Sequence, residues 1–203
     1  MEDRNVAKDA DSRQDDALVR AFQGGEQKAF DALVKRHQGR IINLCFRMLG
    51  DLDEANDFAQ ETFIKAFNGL GRFRLDASFS TWLYRIAVNT CKNRLTSLAY
   101  RFRKKTLPIV EENPMETNSE PLHLEDSNPL PLKCMEDKER AARIQKAISS
   151  LSPDQRSVVI LRDIEGLSYE EIAAIVRQNQ GTVKSRLSRA RQALKERLRP
   201  ILI

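Results

Sequence analysis

The sequence predicts an all-α protein: two small helical domains joined by a flexible, acidic, proline-rich linker. Three observations carry this. Apolar residues recur at helical spacing and almost nothing alternates at period two, so strands are not expected. Five of the seven prolines, Pro108, Pro114, Pro121, Pro129 and Pro131, fall between Thr106 and Met135. There Glu111, Glu112, Glu116, Glu120, Glu125 and Asp126 stand against Lys133, and such a stretch buries too little apolar surface to fold alone. Finally, the net charge of the 203 residues is only +5 but is segregated. Basic residues run from Arg85 to Lys105 with no acidic one, and from Arg177 to Arg199 with Glu196 alone among them. The expected organisation is a disordered N-terminal tail (1–15), a first domain (16–105), the linker (106–135) and a second domain (136–203).

The elements follow in order. Asp16 to Phe22 and Glu26 to Leu49 carry apolar residues at Phe30, Leu33, Val34, Ile41, Ile42, Leu44, Cys45, Met48 and Leu49, and Gly50 ends the run. Asp51 or Asp53 can cap the next helix, expected to reach about Asn68 before Gly69 and Gly71. Another starts near Ser78 and continues to about Arg101. In the second domain, Glu136 to Leu151 reads as a helix. Ser152-Pro153-Asp154-Gln155 supplies an N-cap, a proline at the first helical position and a capping-box Gln. Ser168-Tyr169-Glu170-Glu171 is a second capping box, and Gly181-Thr182 opens the last helix.

Composition excludes several classes. Cys45, Cys91 and Cys134 have neither ligand nor disulfide spacing; Cys45 and Cys91 sit in apolar patterns and read as small core residues. Met1 to Asp16 has no apolar signal-peptide core, and no run approaches a membrane span. A cytoplasmic location is expected. No metal site and no cofactor are expected. The two histidines, His37 and His123, have no catalytic partner nearby in sequence, so an enzyme is not expected.

The C-terminal segment has the outline of a helix-turn-helix reader of duplex DNA. At about 100° per residue, Val183, Leu187, Ala190, Leu194 and Leu198 share one stripe. It should dock on the helix Tyr169–Arg177 through Ile172, Ala173 and Val176. The opposite face carries Ser185, Ser188, Arg189 and Gln192, flanked by Lys184, Arg186, Arg191 and Lys195. A recognition helix reads base edges with its N-terminal residues, so Ser185, Ser188 and Arg189 are the expected base readers. Lys184, Arg186 and Arg191 suit phosphates, and Tyr169 on the preceding helix can touch the backbone.

Two further faces stand out. On 51–68, Ala55, Phe58, Ala59, Thr62, Phe63 and Ala66 point inward. Asp53, Glu54, Asp57, Gln60 and Glu61 point outward with Ile64, which is either a solvated face or a surface for a basic protein partner. On 80–101, Phe79, Trp82, Leu83, Ile86 and Thr90 form the expected core stripe. Arg85, Asn89, Lys92, Asn93 and Thr96 lie on the other side, with Phe73, Phe79, Trp82 and Tyr84 clustered beside them. Aromatics next to cations and amides suit unpaired bases, and Phe73 is the aromatic best placed to touch one. A stand-alone DNA-binding regulator is the alternative reading, and it requires a dimer interface that the sequence does not display.

Residues 57–67 (DFAQETFIKAF), 79–93 (FSTWLYRIAVNTCKN) and 163–191 (DIEGLSYEEIAAIVRQNQGTVKSRLSRAR), in this order, resemble the extracytoplasmic-function sigma factors of bacterial RNA polymerase, over nearly the whole chain past Asp16. The resemblance implies a non-enzymatic initiation subunit. Asp57, Gln60, Glu61 and Ile64 would bind core polymerase at the β′ clamp helices, with a further contact between sigma and the β flap. Phe73, Arg85, Asn89, Lys92 and Asn93 would bind the melted −10 element. Arg162, Tyr169, Glu170, Thr182, Lys184, Ser185, Arg186, Ser188 and Arg189 would read the −35 element as duplex. It also implies an anti-sigma factor, of which a membrane-bound form is the one expected, and a linker threading toward the RNA exit path. Lys184 and Ser188 stand where envelope-stress members carry Arg and an aromatic, and 94–105 lacks their Gly-containing loop, so both promoter preferences are expected to differ.

Overall fold

The computed structural model describes residues 2–97 and 131–199, with side chains over 11–97 and 139–199. Among the described residues every regular element is helical, as expected. The first unit holds α1 (Glu2–Gln23), α2 (Lys28–Leu49), α3 (Leu52–Leu70) and α4 (Phe79–Thr96). The second holds α5 (Pro131–Ser149), α6 (Pro153–Val159), α7 (Tyr169–Val176) and α8 (Gln180–Leu198).

In the first unit, α2, α3 and α4 pack on one another. Leu33, Ile41, Leu44 and Met48 of α2 meet Phe79, Leu83, Ala87 and Cys91 of α4, all fully buried. Helix α3 contributes mainly Ala55, Ala59 and Ala66, whose short side chains let its neighbours approach closely. Each large apolar side chain so buried stabilises the fold by about 1.5–3 kcal/mol. Cys45 and Cys91 are core residues, with sulfurs 3.6 Å apart. Contact with Cys45, and then burial, pushes the Cys91 thiol far above its ordinary range, so it stays protonated. Gly50 closes α2 in the left-handed region (φ 86°), its N–H donating to Phe46 O at 2.7 Å. Asp51 then caps α3 by accepting from Glu54 N at 2.8 Å.

The N-terminal segment corrects the sequence reading. Helix α1 begins at Glu2, whereas residues 1–15 were expected to form a disordered tail. The polar side chains of its second half have specific partners on α2. Arg36 donates to Asp15 (2.9 Å), Asp11 (2.9 Å) and Gln14 (2.7 Å). His37 Nε2 lies 2.8 Å from the buried Asp15 carboxylate. Ion pairing twenty residues away is invisible to local hydropathy.

Most of the acidic linker (106–135) lies outside the described residues. Its last five positions belong to α5, which starts at Pro131 and not at Glu136 because proline is well suited to a first helical turn. Helix α4 stops at Thr96, five residues short of the expected end, where Ser97 leaves helical geometry.

In the second unit, Ser152 caps α6 with Pro153 at its first position. The chain then widens into a π-type turn over Ile160–Ile164, with Glu165 N–H donating to Ile160 O at 3.0 Å. The Ser168–Glu171 capping box is complete in both directions, an arrangement worth about 1 kcal/mol. Val183, Leu187 and Ala190 of α8 are buried as expected. Their partners on α7 are Ile172 and Ile175, while Ala173 and Val176 are only partly buried. The α8 N-cap is Asn179, which accepts from Thr182 N at 2.8 Å, so the helix opens before Gly181.

The two units touch. Arg156 of α6, 4% exposed, donates to Met48 O at the end of α2 as well as to Ser149 O and to Leu151 O (3.2 Å). A buried guanidinium thus gathers carbonyls at two helix C-termini, where a cation complements the helix dipole. Gln145 of α5 also donates to Arg47 O at 3.2 Å, and Arg47 donates back to Gln145 Oε1 at 3.2 Å.

Candidate nucleic-acid interface

Three surfaces correspond to the residue sets marked by the sequence. The first is the outward face of α3. Asp57 and Gln60 are exposed, and Ile64 is 60% exposed among them. Glu61 is half-buried and pairs with Lys65 one turn on, at 2.7 Å. Glu54, placed on the same face, is instead held by Arg94 at 2.7 Å. Phe67, at 42% exposed, extends the apolar strip while its ring meets Phe22 and Phe30 edge-on at centroid distances of 5.3 and 5.1 Å. An apolar centre ringed by carboxylates can take a basic partner with an apolar contact of its own.

The second surface is on α4. Arg85, Asn89 and Asn93 line one cavity of about 340 Å³, together with Trp82, Ile86 and Thr90. Lys65 of α3 closes one wall and donates to Thr90 Oγ1 at 3.1 Å. Positions 82, 86, 89 and 93 follow helical spacing and so form a single face. Trp82 and Ile86 therefore line this cavity, half-buried, while their inner sides pack against the core as the stripe predicts. The core side is Phe79, Leu83, Ala87, Val88, Cys91 and Leu95. Phe73 stacks on Trp82 at 4.8 Å and 29°, presenting a flat aromatic edge beside the cavity. Tyr84 leaves this cluster and points toward the second unit. Lys92 is also outside the cavity, paired with Asp154.

The sequence reading did not include Lys65, Thr90 and Arg177 among the cavity residues. The i, i+3, i+4, i+7 relation of Trp82 to Arg85, Ile86 and Asn89 is a signal available for the α4 members. Nothing local marks Lys65 or Arg177.

The third surface is the helix-turn-helix of α7 and α8. Ser185, Ser188 and Arg189 are exposed on the outer face of α8. The Ser185 hydroxyl donates to Thr182 O at 3.0 Å. Tyr169 is clasped by two cations, the Arg162 guanidinium 4.6 Å and the Lys184 ammonium 5.3 Å from its ring centroid. Arg162 also donates to Leu167 O at 2.6 Å, fixing the turn before α7. Glu170, in the first turn of α7, is held below the usual carboxylate range by its own backbone N–H, the Ser168 hydroxyl and the nearby Lys184. Arg191 pairs with Asp163, and Arg186 turns toward Asp154 at 3.6 Å. Both were expected to face phosphates, and in this arrangement both are engaged by carboxylates.

Among the described residues no cluster of His, Cys, Asp or Glu could hold a metal, and no helix is long and apolar enough to cross a membrane.

Comparison with known proteins bears on the family of the two helical units. The family profile described as "Sigma-70 region 2" matches residues 33–102, and "Sigma-70, region 4" matches residues 141–194. The RNA polymerase sigma-H factor of Pseudomonas aeruginosa is 41% identical over 93% of this chain and 96% of its own. The ECF RNA polymerase sigma-E factor of Escherichia coli is 41% identical over the same shares. Among solved structures, CnrH in complex with the cytosolic domain of CnrY superposes with a TM-score of 0.66 at 26% identity, over 92% of this chain and 98% of that one. The sigma factor RpoE in complex with the anti-sigma factor NepR from Bartonella quintana gives 0.60 at 28% identity, over 85% and 98%. With both sigma regions matched and two-fifths of the residues shared over nearly its full length, the chain belongs to the extracytoplasmic-function group of RNA polymerase sigma factors.

Proposed function

We propose that the three surfaces divide the work of promoter-specific initiation. The face of α3 at Asp57, Gln60, Glu61 and Ile64 docks on core polymerase. The α4 cavity, with Arg85, Asn89 and Asn93 and the Phe73–Trp82 stack at its rim, receives an unpaired base of the −10 element. Lys92 contributes charge to the adjoining backbone. Helix α8 enters the major groove of the −35 element, with Ser185, Ser188 and Arg189 toward base edges. Arg162, Tyr169, Glu170, Thr182, Lys184 and Arg186 meet phosphate or position those that do.

One observation carries this reading: the cavity joins amides, a guanidinium and an indole in a space sized for a flipped base and too small for a duplex. Amides supply edge hydrogen bonds, and the ring offers a stacking plane. The chain divides as 16–105, linker and 136–203, with the helical segment 2–15 preceding. It acts in the cytoplasm, where the polymerase and its template are. An anti-sigma partner is part of this proposal, since a solved relative, the sigma factor RpoE, is held in complex with the anti-sigma factor NepR.

The test is permanganate footprinting with core polymerase. Asn89→Ala with Asn93→Ala should leave polymerase binding intact and abolish −10 melting. Normal melting in that variant would remove the cavity from the mechanism.

A further inference from the structure

We propose, resting on the functional reading above, that Lys65 of α3 selects the base held in the α4 cavity, and that the cavity takes a base bearing a ring carbonyl and rejects adenine.

Lys65 reaches the cavity from α3, whereas Arg85, Asn89 and Asn93 stand on α4. Its ammonium is fixed at two points. It lies 2.7 Å from Glu61 Oε1, one turn back, and donates to Thr90 Oγ1 of α4 at 3.1 Å. Thr90 is only 3% exposed, so the second anchor is buried. These contacts use two of the three N–H donors of an ammonium. The third is left for an occupant of the cavity whose wall Lys65 forms. The aromatic wall is held by the same helix. Trp82 stacks on Phe73, and Gly69 of α3 runs so close to the indole that a Cβ there would lie 3.1 Å from its ring. Gly69 follows Lys65 by one turn, on the same face of α3. Stacking plane and ammonium therefore share one rigid support, which sets where a stacked base presents its edge.

The chemistry of the lining decides which edge fits. None of the residues lining the cavity is acidic. Asn89 and Asn93 each carry a donor and an acceptor, and can turn to suit any base. Lys65 and Arg85 only donate. A base edge ending in an amine meets these cations donor to donor, whereas a carbonyl gives them an acceptor. Guanine offers O6 beside N7 and thymine offers O4, while adenine sets its N6 amine beside N7. Adenine alone of the four DNA bases has no carbonyl. The arrangement therefore discriminates against it. A contact from Lys65 to phosphate would instead be blind to the base.

The test uses the full-length chain assembled with core polymerase, at chain concentrations that saturate the core, with binding to core alone subtracted. Labelled d(AAAXAA) is titrated by fluorescence anisotropy, X being adenine, hypoxanthine or thymine. Hypoxanthine carries a carbonyl where adenine has its 6-amine. With the parent chain, X as hypoxanthine or thymine should bind about tenfold tighter than adenine, and Lys65→Met should cut that preference to about threefold or less, as for loss of a hydrogen bond from a charged donor. A parent that binds all three alike, or a Lys65→Met variant that keeps the full preference, overturns the proposal. So does an equal loss at every X, which marks a phosphate contact. Asn89→Ala with Asn93→Ala, run in the same titrations, tests the cavity itself. If that variant binds every oligonucleotide like the parent, the cavity reading falls and base selection by Lys65 falls with it. If it loses binding while Lys65→Met keeps the preference, the role of Lys65 alone is overturned.

Discussion

Tyr84 of α4 donates its phenolic proton to the Glu165 carboxylate across the seam between the two helical units, at 2.6 Å. Asn43 of α2 reaches the other oxygen of the same carboxylate at 3.4 Å. A group at the end of the π-type turn is thereby tied to the centre of the first unit, which the sequence places some eighty residues away.

Tyr84→Phe keeps the ring in its slot and removes one hydrogen bond to a charged acceptor. The expected loss is about 1–2 kcal/mol of unfolding free energy, read by denaturant titration. The pH dependence has a defined sign. Burial, with Glu165 second, pushes the Tyr84 hydroxyl above its ordinary value of 10.0. The folded chain keeps that proton where the unfolded chain releases it. Stability from this group is therefore whole below pH 10.0 and falls as pH rises further. Tyr84→Phe should lack that part of the alkaline decline.

Arg156→Met should be among the most costly single changes at the seam. It deletes a buried cation from three carbonyls, one of them on the other unit. A loss of ~3 kcal/mol or more is expected by thermal or denaturant unfolding, since the carbonyls are left without a donor.

On the polymerase face, Asp57→Arg with Glu61→Arg should abolish assembly with core polymerase while leaving the circular dichroism spectrum unchanged. Neither side chain is buried, and the helix is capped elsewhere, by Asp51. Retained assembly in a pull-down with purified core would disprove the role of this face.

Arg189→Ala should cost on the order of 1–3 kcal/mol in −35 affinity and relax preference at one base pair. Lys184→Ala should weaken all sequences alike and flatten the salt dependence by about one unit of slope. Competition binding of holoenzyme to variant −35 duplexes separates the two patterns.

What the sequence disclosed was whatever is written in local spacing. The Ser168–Glu171 box, the Gly50 stop and the Val183–Leu187–Ala190 stripe each need only a few neighbouring residues. The same holds for the carboxylates and Ile64 on α3. What stayed hidden depends on partners far along the chain. Helix α1 starts early in a polar segment whose Asp11 and Asp15 meet Arg36 of α2. Trp82 packs against the core as its stripe predicts, but period alone does not show that it also forms a cavity wall. Arg177, Asp154 and Glu165 gain their significance only because the two units touch.

The central claim is that one chain equips core polymerase to read two separated promoter elements, one paired and one melted. It is tested most directly by run-off transcription from a template library randomised over both elements, with purified core polymerase and with or without the chain. Transcripts that appear only when the chain is present, and whose templates share a two-part motif with fixed spacing, are the predicted result. No chain-dependent transcripts, or a single uninterrupted motif bound equally well without polymerase, would contradict it.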